Sequence, residues 1–151
     1  MKPFVLTSLL FVSMLMMRAC PMMAQTQQLF PFQTGEKIRY TASIEMPKGY
    51  ISGICVLLNE GEVVRGCLFN EFGVTALDFS YQPKKDKVKL HTVMGLMDKW
   101  YIRRVLRKDL RQLIQCLQNG VTAYQDEKHG ITYRLTPMEI AVPHSLEENL
   151  K

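Results

Sequence analysis

The chain changes its hydrophobic period once, and that change constrains the fold more than any other feature of its 151 residues. From Lys37 onward, Ile38, Tyr40, Ala42, Ile44 and Met46 alternate with Lys37, Arg39, Thr41, Ser43 and Glu45, the period of two that lets an extended strand bury one face. From Asp98 onward, Ile102, Val105, Leu106, Leu110, Leu113, Ile114 and Leu117 recur at spacings of three and four, so the apolar atoms line one side of an α-helix. Between the two regimes, Pro47-Lys48-Gly49, Asn59-Glu60-Gly61, Asn70 to Gly73 and Pro83 to Asp86 supply turn chemistry. They separate predicted strands over residues 50–58, 63–69, 74–81 and 88–94. Asp98 is the expected N-cap of the helix and Asn119-Gly120 its left-handed stop. Residues 121–124 and 131–135 then read as one more hairpin. The expected class is α+β: an antiparallel meander of about five strands plus a C-terminal hairpin, packed on one long amphipathic helix, in a single domain over residues 37–136.

Ahead of this domain, Lys2 precedes an uncharged run from Phe4 to Met17, FVLTSLLFVSMLMM. That run has the length of the apolar core of an export signal and is short for a membrane-spanning helix. Residues 1–24 are therefore expected to direct export and to be removed. Two exits stay open. Cleavage after Ala24 would start the chain at Gln25; cleavage before Cys20, within Met17-Arg18-Ala19-Cys20, would leave that cysteine for lipidation, as in a degenerate bacterial lipobox. The first places the protein free in the periplasm, and the second anchors it by acyl chains to the outer membrane. Residues 25–36, which mix polar side chains with Pro31 and Gly35, are expected to act as a tether, and residues 137–151 as a flexible tail.

Either exit leaves Cys55, Cys67 and Cys116 in the domain, an odd number that excludes a full disulfide framework. A single bridge would join Cys55 to Cys67 across their shared hairpin; three buried thiols are the alternative. His91, His129 and His144 are scattered, no Cys-x-x-Cys occurs, and neither a G-x-S-x-G elbow nor a phosphate-cradling glycine loop is present. No catalytic or metal-ligating residue and no cofactor are assigned, and a non-enzymatic role is expected. Asp78 interrupts an apolar strand and is expected on its solvent face.

The net charge of +5 is too mild to indicate nucleic acid, and export argues against that partner as well. What matters is where the charge lies. Lys99, Arg103, Arg104, Arg107, Lys108 and Arg111 fall on the predicted helix against only Asp98 and Asp109. Such a stripe would meet anionic lipid headgroups or an acidic envelope protein; a solvated outer face is the alternative. Phe79, Tyr81, Trp100 and Tyr101 gather where the last meander strands meet the helix, and they would either line an apolar cavity or fill the core.

The order of elements, with the stretch Leu68-Phe69-Asn70-Glu71-Phe72-Gly73-Val74 through Arg111, resembles the small envelope lipoproteins of the LolA/LolB-like half-barrel class over about residues 37–136. The resemblance implies a curved sheet closed by a helix that binds or shields lipid or lipoprotein acyl chains.

Overall fold

A computed structural model describes residues 27–138. Seven strands, β1 (Lys37–Met46), β2 (Gly49–Asn59), β3 (Val64–Asn70), β4 (Thr75–Gln82), β5 (Lys87–Val93), β6 (Ala123–Asp126) and β7 (Ile131–Pro137), form one antiparallel sheet. Helix α1 (Trp100–Gln118) intervenes between β5 and β6. The spatial order is β5-β4-β3-β2-β1-β7-β6, so the expected meander runs from β1 to β5 and the C-terminal hairpin joins on the far side of β1. α1 leaves one edge of the sheet, crosses its inner face and returns the chain at the opposite edge, packing on both β5 and β6. The product is a curled half-barrel closed by one helix, an α+β fold.

Alternation decides which face is inside. Tyr40, Ala42 and Ile44 of β1 lie opposite Cys55, Gly53 and Ile51 of β2, and on the other flank Ala42 and Ile44 meet Leu135 and Tyr133 of β7. This face meets the apolar side of α1, where Leu106, Leu110, Leu113, Ile114 and Leu117 are buried. Each fully buried leucine or isoleucine contributes roughly 1.5–3 kcal/mol, so the stripe is what holds the helix to the sheet. In β3, Gly66 lies beneath the ring of its cross-strand neighbour Phe79, which fills the space a Cβ would take. The helix begins later than the sequence suggests. Lys99 is at the N-cap position with no side-chain cap, because the Asp98 carboxylate is engaged by the Arg103 guanidinium instead. Its end is as expected, with Asn119 at the C-cap and Gly120 in left-handed conformation.

Residues 27–36 do more than the tether expected of them. Phe30 is buried and meets Tyr81 edge-on, with ring centroids 6.5 Å apart. The Tyr40 hydroxyl donates to the Leu29 carbonyl at 2.7 Å, and the Asn59 amide donates to the Pro31 carbonyl at 3.0 Å. The segment is thus pinned across one end of the half-barrel by groups from β1 and β2. Tyr40→Phe removes one of these pins and leaves the Leu29 carbonyl short of a partner; a loss of about 1 kcal/mol is expected in urea titrations. An unchanged unfolding midpoint would show that the strap does not depend on this bond.

Candidate functional site

The outer face of α1 follows from helix geometry. At 3.6 residues per turn, Trp100, Arg104, Arg107, Lys108 and Arg111 fall on one side, opposite the buried leucines. Arg104, Arg107 and Lys108 are exposed, and none of them has an acidic partner within ion-pair distance among the described residues. Lys99, also exposed, lies 6.0 Å from the Tyr101 ring. Two members of the sequence-assigned stripe are committed elsewhere. Arg103 holds Asp98, and Arg111 reaches Asp86 at 3.3 Å, where Gln115 and the Tyr81 hydroxyl also donate to the same carboxylate. Arg111 therefore fastens the helix to the turn before β5, while Lys99, Arg104, Arg107 and Lys108 remain available to a partner.

The four aromatics assigned to a cavity divide into two pairs. Phe79 and Tyr81 are buried in the core. Trp100 and Tyr101 point away from it, 77% and 49% exposed, with their rings edge to face at 6.0 Å. They lie beyond the sheet because the helix starts at Trp100, which puts both on its first turn and on the outer side. Between sheet and helix, a cavity bordered by Ala42, Cys55, Phe79, Leu110 and Tyr133 has a volume of about 20 Å³. That is the space of about one water, far below the few hundred Å³ of a ligand pocket. An acyl chain would enter this cavity only if the helix parted from the sheet.

Of the two alternatives, a Cys55–Cys67 bridge and three buried thiols, the bridge is not formed: Cys55, Cys67 and Cys116 are free, and of them Cys55 is buried. Register explains it. Cys55 pairs with Leu68 while Cys67 pairs with Val56, so the two thiols sit one position apart and point to opposite faces of the sheet. Burial pushes the Cys55 thiol up to about 12, with a smaller contribution from Cys67, so it is inert as a nucleophile. Asp78 faces outward as expected and lies 3.7 Å from Arg65. His91 meets the Ser80 hydroxyl at 2.9 Å. Among the described residues no group of three or more His, Cys, Asp or Glu is placed to hold a metal ion, and no helix is long and apolar enough to cross a membrane. The expected export leader, both expected cleavage positions and Cys20 lie outside the described residues.

One polar cluster escaped sequence reasoning. Asp109 is fully buried on the inner side of α1, where it accepts from the Tyr133 hydroxyl at 2.8 Å. Nearby Asp126, also buried, accepts from the His129 ring at 2.6 Å and from the His129 backbone N–H at 3.2 Å. The second Asp109 oxygen has no donor. It is satisfied when it carries a proton and donates to Asp126, and the proton affinities agree with that arrangement. Burial foremost, and then the neighbouring Asp126, raises Asp109 to about 6 against the opposing pull of the Tyr133 hydrogen bond. Burial would raise Asp126 too, but hydrogen bonds from the His129 ring and backbone and from Asp109 leave it below the usual range. Below about pH 6, once Asp126 has ionised, the pair holds one proton and one charge, and it links α1 to the β6–β7 hairpin. The signal was present in the sequence, since position 109 falls on the apolar stripe between Leu106 and Leu110.

Comparison with protein-family models, with curated proteins and with solved structures finds no match to this chain.

Proposed function

We propose that this protein is a non-enzymatic module of the bacterial envelope that docks on an acidic surface through the outer face of α1. The observation that carries the reading is the set of exposed cations Lys99, Arg104, Arg107 and Lys108, which have no acidic partner among the described residues. Unpaired cations on one helix face repel one another, and an anionic partner removes that penalty. Export by the expected leader would put such a surface outside the cytoplasm, and a lipidated Cys20 would hold the protein at the outer membrane. Shelter of acyl chains inside the half-barrel is the weaker alternative, because the cavity between Ala42, Leu110 and Tyr133 has room for about one water.

Immobilised polyglutamate tests the reading. Arg104→Gln, Arg107→Gln and Lys108→Gln together are expected to weaken retention about tenfold or more, and salt of about 0.5 M should release the wild-type protein. The control is Lys85→Gln, Lys87→Gln and Lys89→Gln, which removes the same net charge from exposed positions elsewhere. Equal weakening by both triple variants would mean that bulk charge, not this face, makes the contact.

A further inference from the structure

The docking face has an apolar end. Leu96, in the turn before α1, is 82% exposed, and Trp100 and Tyr101 follow it at 77% and 49%. Three large apolar side chains held in water within six positions are costly unless something covers them. Their setting identifies what does. Trp100 lies on the same side of the helix as Arg104, Arg107 and Lys108, so the face carries an aromatic anchor at one end and cations along the next two turns. From Trp100 to Lys108 the stripe runs for about 12 Å along the helix axis. It is the outer side of a single helix whose other side packs on the sheet. An exposed helical stripe with tryptophan and leucine at its tip and arginine and lysine along its length matches an anionic surface with an apolar interior.

We propose that α1 binds an anionic lipid bilayer, with Leu96 and Trp100 entering the headgroup boundary, Tyr101 at its margin, and Lys99, Arg104, Arg107 and Lys108 over the phosphates. The inference rests on the docking reading and names the partner for it. Leu96 sits in the turn that links β5 to α1, and this turn leads the approach. The Trp100–Tyr101 pair is already assembled edge to face, so little side-chain freedom is lost on insertion. The cations provide attraction at a distance, and the apolar tip gives the contact its depth.

Trp100 is the one tryptophan of the chain, so its fluorescence reports the contact directly. The protein beginning at Gln25 keeps every described residue and omits the apolar leader, which would partition into lipid by itself. With phosphatidylglycerol vesicles its emission is expected to move to shorter wavelength and to be quenched by lipids brominated near the headgroup. Phosphatidylcholine vesicles should give neither change. Arg104→Glu, Arg107→Glu and Lys108→Glu together should lower cosedimentation with anionic vesicles by about a hundredfold or more, and Leu96→Ser, which keeps the Trp100 probe, by about fivefold. Three results would overturn the inference. Retention on polyglutamate without vesicle binding would leave the docking reading standing with an acidic protein as the partner. Vesicle binding with unchanged Trp100 emission would reduce the contact to charge adsorption without insertion. Equal binding to neutral and anionic vesicles would remove the role given to the cations. Thermal melts of each variant establish that loss of binding is not loss of fold, since all substituted side chains are exposed.

Discussion

Asp109→Asn is expected to stabilise the protein by about 3 kcal/mol at pH 8, an increase on the order of 10 °C in Tm, and to change nothing near pH 4. Asparagine reproduces the protonated carboxyl. Its carbonyl accepts from the Tyr133 hydroxyl, and its amide N–H donates toward Asp126 where the acid proton did. The sign follows from proton counting. Asp109 releases its proton near 3.8 in the unfolded chain and at about 6 in the folded one, so the folded state holds more protons between those values. Stability therefore falls as pH rises from about 4 to about 6 and stays lower above that window. Asparagine cannot ionise, so the variant keeps the low-pH stability of this site at all pH values. Urea titrations at several pH values from 4 to 8 check the result. A variant no more stable than wild type at pH 8 would show that Asp109 is already satisfied as a carboxylate.

Gly53→Ala is expected to cost about 3 kcal/mol or more, because the strain falls on backbone that cannot move aside. A Cβ at Gly53 would overlap the Phe69 carbonyl and press on the Cα of Asn70. β2 and β3 pinch together there, beside the point where β3 shifts register against β4 between Leu68 and Phe69. Relief would require the bulge to migrate, and migration by one residue would turn Leu68 out of the core. Far-UV circular dichroism melts give the measure. A loss below about 1 kcal/mol would mean that the bulge relaxes freely and is not fixed by this contact.

The sequence makes the local elements legible and leaves the joins between them obscure. β1 and the helical stripe are readable because periodicity records which face is buried, and the breaks at Gly61 and Gly73 are readable because their left-handed turn conformations select glycine. The placement of β7 beside β1 is not, since pairing between strands about 90 positions apart leaves no local trace. Phe30 was hidden by its company, as Pro31 and Gly35 suggest a linker while the phenyl ring fills the end of the core. Cys55 and Cys67 show how one step of register decides chemistry, because their hairpin was foreseeable and their faces were not. For the docking face, the cations were plain in the sequence. The exposure of Trp100 was not, because it depends on the helix starting at Trp100 after an N-cap at Lys99, and not at an Asp98 cap. Asp109 was countable as one of the few acids near the cations, but its position on the apolar stripe is what assigns it to the interior.

The closure of β7 onto β1 also bears on how the chain reaches its fold. Until residues 131–137 have emerged, a completed β1–β5 meander presents β1 as a bare edge with Thr41, Ser43 and Glu45 beside unpaired backbone groups. Among the described residues, the last strand made is the one that covers the first. Such end-to-end pairing raises contact order and slows the final step, and during that interval the open edge is the part of the molecule most able to recruit another chain.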